Sequence, residues 1–380
     1  MTTFRFIHTA DWQIGAPFGA YPDDLSARLR EARTSAISRI AQLAQDKSVK
    51  HVIVAGDVWD SEQPSDQAIR QPLDLMGEAE GVNWWLLPGN HDPFRKNMLW
   101  DRIAERAPDN VHLLLKPEPA EAESGVWFLP APWTSKDPGR DLTEWMDEAT
   151  TPEGELRIGI AHGSIHDFSP PDGDSEAGTK SIIPPNRPEL ACLDYLALGD
   201  WHGTLEIGPR IWYSGTPEPD KFHRNNPGHV LLVEIQSGQE PVVEIRETAQ
   251  FRWQIHNVEC LPAVPSYPEI DELETQGALR QTMQHLSLRG QLTYDEWTKL
   301  QQRVNELNER CAFMELDDEK LTKLVSEDDL DQLDQGGSVR VAADRLHTIR
   351  QDESLSESDR DLAGEALILL LSFAAEEMIS

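Results

Sequence analysis

The chain has 380 residues, 39% of them hydrophobic and 27% charged, and a formal net charge of −33. That length exceeds what one hydrophobic core usually serves, so two or three domains are expected, and no run of about 18 apolar residues offers a membrane span. The acidity argues against a protein that grips nucleic acid through a basic surface of its own; a nucleic-acid substrate would need a partner or a local basic groove to hold it.

The first ten residues, MTTFRFIHTA, have neither a basic region nor a long apolar stretch, so no secretory leader is expected and the protein reads as cytoplasmic. Cys192, Cys260 and Cys311 are far apart with no CxxC, as expected of reduced, packed thiols. Residues 4–10 (FRFIHTA) predict a buried strand ending at Asp11, and 23–46 carry Leu25, Leu29, Ala32, Ala36, Ile40 and Leu43 at a helical period. A second strand at 51–55 runs into Gly56-Asp57, a helix follows at 65–80, and a third strand at 83–88 runs into Gly89-Asn90-His91-Asp92. Strands alternating with helices imply a parallel α/β sheet, whose ligands gather at the carboxyl ends of the strands. Further strands are expected at 111–115, 126–130, 156–162 and 194–198, with a Pro-, Gly-, Ser- and Asp-rich surface loop at 168–188. The β-rich stretch 205–246 is expected to contribute to a second sheet facing the first. Composition changes near 250: strands are expected at 251–258, 286–293 and 312–316 and helices at 269–284 and 294–310, a small α+β module. Two helical stretches, 338–351 and 356–378, close the chain, either packed on their own domain or available to a partner.

The polar residues at the strand ends carry the chemistry. Hydrolysis of a phosphodiester needs its negative oxygens neutralised and a water made acidic, which two adjacent divalent cations achieve. A shared carboxylate needs a rigid turn, and Asp57 beside Gly56 fits. Asp11 supplies a terminal carboxylate, and Gln13 lies two residues on, on the same side of the chain. Asn90 offers a carbonyl oxygen, and His162 and His202 offer imidazoles, with Asp200 between them in sequence. His91 would stand just outside the metals as the catalytic imidazole, with Asp92 placed to orient its ring. Arg95 and Lys96 are the basic residues placed to meet a substrate phosphate. His8 should point away from the metals, and Trp12, Trp59 and Trp201 read as apolar buttresses under the site or as stacking platforms. His166 and Asp167 read as loop polarity.

The ordered set Asp11-Trp12-Gln13, Gly56-Asp57-Val58-Trp59-Asp60, Gly89-Asn90-His91-Asp92, His162 and Gly199-Asp200-Trp201-His202 resembles the calcineurin-like metallophosphoesterases. Within them, HTADWQIGAPF (8–18), VAGDVWD (54–60), LPGNHD (87–92) and WYSGTPEPDKF (212–222) resemble the SbcD and Mre-eleven nuclease subunits. The resemblance covers about residues 4–250 well and 251–330 in outline. It implies a four-layer α/β/β/α sandwich over 1–250, a capping domain over 251–330 that helps orient DNA, and a C-terminal helical segment over 331–380 that docks an ATPase. It implies Asp11 and His202 on a first metal, Asp57 bridging, Asn90 and His162 on a second, and His91 protonating the leaving oxygen or stabilising the transition state. Two positions depart from the pattern, since Gln13 and Asp200 stand where the family has histidines, so each metal would exchange an imidazole for an oxygen, a set that suits Mn²⁺ or Mg²⁺ over Zn²⁺. The activity implied is a metal-dependent DNA exo- or endonuclease of repair or defence, working with an SbcC-like coiled-coil ATPase and often as a homodimer. Two readings compete with it: a phosphodiesterase or phosphatase on small nucleotides or phosphoproteins, and an interaction subunit that keeps the fold without the activity.

Overall fold

The computed structural model describes residues 3–136, 138–166, 182–222, 225–264, 266–277, 279–325, 329–330 and 337–379. The loop expected at 168–188 falls, up to residue 181, outside the described residues, as does Asp167. The chain divides into two compact units, Met1–Trp253 and Gln254–Ser380.

The first unit begins with β1 (Thr3–Thr9), α1 (Asp23–Asp46), β2 (His51–Val54), α2 (Asp66–Glu78), β3 (Asn83–Leu86), α3 (Leu99–Ala104) and β4 (Val111–Leu113). It continues with β5 (Ala120–Glu123), β6 (Val126–Ala131), β7 (Leu156–His162), β8 (Ser164–Ile165), β9 (Ile182–Ile183), α4 (Arg187–Leu190), β10 (Tyr195–Gly199), β11 (Leu205–Gly208), β12 (Ile211–Tyr213), β13 (His229–Gln236) and β14 (Val242–Glu247). Two six-stranded sheets result, in the orders β14-β13-β1-β2-β3-β4 and β11-β12-β10-β7-β6-β5. The segment expected to join one facing sheet is divided between both: β11 and β12 extend the second sheet, while β13 lies antiparallel beside β1 in the first. The apolar run of β13 (HVLLVEIQ) covers both faces of the sheet at that position, so it pairs where a strand must be buried on two sides.

Three cores hold these layers. Between the sheets, Phe4, Phe6, Ile53 and Trp85 pack on Phe128, Ile158, Ile160 and Tyr195. Phe128 stands edge-on to Trp85 at 4.9 Å between ring centroids. Outside the first sheet, Ile37 and Ile40 of α1 and Ile69, Leu73 and Met76 of α2 cover Ile7, Val52, Val54, Trp84 and Leu86. The buried positions of α1 recur every three or four residues, which commits one stripe of the helix to the sheet. Outside the second sheet, Met146, Ile165 and Leu193 cover Leu129, Ala161, Leu196 and Leu198, and the helices there are short: α4 and a 3₁₀ turn at Glu144–Asp147. The order is therefore α/β/β/α with a thin fourth layer.

In the second unit, β15 (Arg252–Cys260), β16 (Thr282–Thr293) and β17 (Phe313–Leu324) form a three-stranded sheet, with α5 (Pro268–Thr275) and α6 (Tyr294–Arg310) among them. The helix expected at 269–284 ends at Thr275, and residues from Thr282 onward are strand. Met283, Leu286, Leu288 and Leu292 are fully buried there, so burial in the sheet overrides a run that alone reads as helical. A capping box between Thr293 and Glu296 starts α6. The closing helices, α7 (Ser338–Gln351) and α8 (Glu357–Ile379), share a core of Val325, Leu330, Ala343, Leu367 and Leu371, with Tyr294 against it. Among the described residues, no helix is long and apolar enough to cross a membrane.

Because Phe128 fills the space between the two sheets, Phe128→Ala is expected to destabilise the first unit by about 3–5 kcal/mol. Urea unfolding followed by tryptophan fluorescence measures this; a loss under about 1 kcal/mol would show that the inter-sheet core tolerates a void.

Candidate metal centre

The loops after β1 and β2 are joined by backbone hydrogen bonds. Asp11 N donates to Gly56 O at 3.1 Å, Gln13 N to Asp57 O at 2.9 Å, Ile14 N to Val58 O at 2.9 Å, and Asp60 N returns to Ile14 O at 3.1 Å. The backbone at the strand ends is unusual: Asp11 (φ 53°), Gln13 (42°) and Asp57 (52°) in these loops, and Asp200 (101°) after β10, are four of the ten non-glycine residues with positive φ among those described. Such conformations are rare for side-chain-bearing residues and concentrate at functional sites. Two motif glycines are needed for space. A Cβ on Gly56 would lie 2.2 Å from His162 Nδ1, and one on Gly89 2.1 Å from Asp57 Oδ1.

The strand ends bring Asp11, Asp57 and His162 together, with ligand atoms within 4.8 Å of one another and all three buried. His162 Nε2 lies 2.7 Å from Asn90 Oδ1, 3.5 Å from Asp57 Oδ1 and 3.8 Å from Asp200 Oδ1. Its other nitrogen, Nδ1, donates to Ala55 O at 3.0 Å, which fixes the ring and aims Nε2 at the carboxylates. Trp133 Nε1 donates to His162 O at 2.7 Å and ties the end of β7 to the loop after β6. Asp200 N donates to both oxygens of Asp11, at 3.1 and 3.2 Å, and Ser164 Oγ donates to Asp200 Oδ2 at 3.0 Å. Gln13 Nε2 is 3.1 Å from His202 Nε2, so the two departures from the histidine pattern both sit in this cluster.

His91 stands beside it, with 42% of its side chain exposed and Nε2 3.9 Å from Asp57 Oδ2. Its backbone N donates to Asp57 Oδ1 at 2.9 Å. The ring is not oriented by Asp92. That carboxylate is fully buried and turned the other way, accepting from Gly89 N at 2.7 Å and Trp59 N at 2.9 Å, so it closes the loop on itself. The partner of His91 Nδ1 is Asp60 O at 3.1 Å; a carbonyl can only accept, so Nδ1 carries the hydrogen and Nε2 is free of that bond. Arg95 meets Glu62 at 3.1 Å, and Lys96 is exposed. His8 is buried against Tyr195 Oη and Leu198 O, each at 3.1 Å, and burial lowers its pKa to about 3, which makes it a neutral packing residue. Trp12 and Trp59 are buried beneath the site, Trp12 edge-on to Trp84 and Trp59 to Trp100, while Trp201 is partly buried.

Sequence reasoning missed Asp220. Its Oδ2 lies 3.2 Å from His202 Nδ1, leaving Nε2 as the ring nitrogen that faces Gln13. Arg33, buried, donates to Trp12 O at 2.7 Å and Glu218 O at 3.0 Å and reaches Asp220 at 3.9 Å, tying the loop after β1 to the segment that follows β12. The signal was present in WYSGTPEPDKF, whose resemblance pointed to the stretch without assigning a role to its aspartate.

The donor set fits a divalent cation. Burial pushes Asp11 up to about 7, opposed by His162 and His202. For His162, burial acts downward, but Asp57, Asp11 and Asp200 outweigh it and raise the ring to about 9. Burial and the charge of Asp57 raise Asp92 to about 8. Buried carboxylates without a cation hold on to protons, and hard oxygens with imidazole nitrogen are the ligands divalent metals take.

A family model described as calcineurin-like phosphoesterase matches residues 4–231. Among curated proteins, the chain is 27% identical over 258 residues to the uncharacterized metallophosphoesterase YhaO of Bacillus subtilis, covering 63% of this chain and 59% of that protein. It is 24% identical over 238 residues to the DNA double-strand break repair protein Mre11 of Methanosarcina acetivorans, covering 61% and 36%. It is 22% identical over 242 residues to a subunit of the nuclease SbcCD of Staphylococcus epidermidis, covering 56% and 60%. The matches thus span 59%, 36% and 60% of those relatives' lengths.

The buried cluster ties cation binding to protons. A cation must displace them from Asp11 and from His162 Nε2, so Mn²⁺ affinity is expected to rise with pH from 6 to 9, about tenfold per unit for each proton released. Calorimetry in buffers of different ionisation enthalpy reads that proton count; affinity flat across the range would contradict it. Asp220→Ala is expected to weaken Mn²⁺ binding about 10–100-fold, the usual cost of removing the carboxylate behind a ligating histidine, with Asp220→Glu recovering part of it.

Proposed function

The chain belongs to the calcineurin-like phosphoesterases, and on that premise we propose that it is a metal-dependent nuclease hydrolysing phosphodiester bonds in DNA. The single observation that carries this reading is the convergence of Asp11, Asp57 and His162 from three strand ends, with Asn90, Asp200, Gln13 and His202 around them and His91 alongside. On this reading the site would take two divalent ions, Mn²⁺ or Mg²⁺: Asp11, Gln13 and His202 would hold one, Asn90, His162 and Asp200 the other, and Asp57 would serve both. When bound, they neutralise the phosphoryl oxygens and supply a water acidic enough to attack at neutral pH.

The remaining work falls to the protein. Asp57 is kept in its strained turn by the backbone ladder to Gln13 and by the close passage of Gly89. Ala55 O, through its hydrogen bond, holds the His162 ring, and the Asp220 carboxylate stands behind His202 at 3.2 Å. His91, anchored through Nδ1–H to Asp60 O, presents Nε2 to the leaving oxygen and delivers a proton to it as the P–O bond breaks. The relatives named for DNA break repair and as part of the nuclease SbcCD favour DNA as the substrate and an SbcC-like ATPase as the partner. In this scheme residues 251–330 orient the strand and 331–380 dock the ATPase. The net charge of −33 favours the alternative of a small phosphodiester substrate, since such a ligand needs no extended basic surface.

Incubation with Mn²⁺, linear DNA and bis(p-nitrophenyl) phosphate separates the readings. DNA cleavage abolished in Asp57→Ala is expected. Turnover of the small ester with DNA untouched, even with an SbcC-like ATPase added, would favour the alternative. His91→Gln is expected to lower kcat about 10²–10⁴-fold while leaving Mn²⁺ affinity within about twofold. Equal losses in affinity and rate would make His91 a ligand rather than the proton donor.

A further inference from the structure

Three loops leave the metal centre and meet again at its rim. Glu62 follows Asp60, whose carbonyl holds His91; Arg95 follows His91 itself; Lys136 follows Trp133, whose indole holds the His162 carbonyl. Phe94 N donates to Trp133 O at 2.7 Å and Trp133 N to Pro88 O at 3.2 Å, so the loops carrying Arg95 and Lys136 are fastened together close to the site. Their two cations converge on one carboxylate: Arg95 Nη1 lies 3.1 Å from Glu62 Oε2 and Lys136 Nζ 3.4 Å from Glu62 Oε1. Glu62 is only 12% exposed, whereas Arg95 and Lys136 are 42% and 64% exposed.

A surface pair of this kind contributes little to stability, so fold maintenance is a weak reason for drawing two cations to one acid. The chemistry suits an anion instead. Glu62 meets each cation at one nitrogen, Arg95 Nη1 and Lys136 Nζ, while a guanidinium carries five N–H donors and an ammonium three, more than one carboxylate can accept. The trio carries a net positive charge on a chain of −33, and the shared carboxylate brings the two cations to one point. We infer that Arg95 and Lys136, held by Glu62, form a phosphate-binding lip that takes a phosphate of a polynucleotide next to the one being cleaved. This rests on the reading of the metal centre as a phosphodiesterase and adds a selection: a polynucleotide reaches the lip, while an ester with a single phosphate does not. It also pairs Arg95 with Lys136 rather than with Lys96.

Fluorescence anisotropy of a labelled single-stranded oligonucleotide with phosphorothioate linkages, in Mn²⁺ and across a salt series, tests the lip without requiring turnover. The double variant Arg95→Gln/Lys136→Gln is expected to bind about tenfold more weakly near 0.1 M salt. Its slope of log Kd against log salt should fall by about 0.7 for each phosphate that the lip no longer neutralises. Glu62→Gln, which frees the cations from their anchor but keeps their charge, should alter affinity while leaving that slope within about 0.3. A double variant with wild-type affinity and slope overturns the inference, as does a wild-type chain that binds no oligonucleotide. Turnover of bis(p-nitrophenyl) phosphate by the wild type, run in parallel, reports separately on the phosphodiesterase reading: ester hydrolysis with no effect at the lip removes the lip alone.

Discussion

The backbone ladder between the loops after β1 and β2 is the constraint from which the rest of the site follows. Four hydrogen bonds run the segment from Asp11 to Ile14 alongside the segment from Gly56 to Asp60. Within these loops the backbone is left-handed at Asp11, Gln13 and Asp57. Aspartate tolerates that region better than most residues, and Gly56 accepts it freely while clearing room for His162. The layers behind the ladder keep it in place. The run of β2 and the tryptophans beneath the loops, Trp12 and Trp59, are buried.

Electrostatics then explains why the cluster suits a cation. Two carboxylates and an imidazole are out of water within a few ångströms of one another, and Asp11 and His162 both retain protons longer than they would in solution. Behind the rings stand Ala55 O, which accepts from His162 Nδ1, and the Asp220 carboxylate, 3.2 Å from His202 Nδ1. Replacement of two histidines of the family pattern by Gln13 and Asp200 leaves the cluster intact, because each replacement is itself fixed: Gln13 by the ladder and by His202, Asp200 by Asp11 and Ser164. On the proposed reading, the exchange would shift the donor set toward oxygen and the harder metals that prefer it.

Much of this was legible in the sequence. Alternating buried strands and amphipathic helices pointed to the parallel core of the first sheet, and the polar residues at the strand ends named the cluster. Period alone could not decide which sheet a strand joins, so the assignment of β13 to the first sheet and of β11 and β12 to the second came from packing. The same limit applies at Thr282, where the continuation of a helical run is strand because its apolar side chains are taken into the core of the second unit. The role of Asp92 shows the other limit. Adjacent residues in a tight turn point apart, so proximity to His91 in sequence put its carboxylate on the wrong side, and the carbonyl of Asp60, from another loop, stands there instead.

Which polar residues stand at the strand ends, and in what order, could be read from the chain alone, since side-chain chemistry and strand-end position are local properties. Which groups stand behind them could not. Asp220 behind His202, Ala55 behind His162 and Glu62 between Arg95 and Lys136 join positions far apart along the chain or on separate loops, and such pairings exist only where folding packs those loops to the same point.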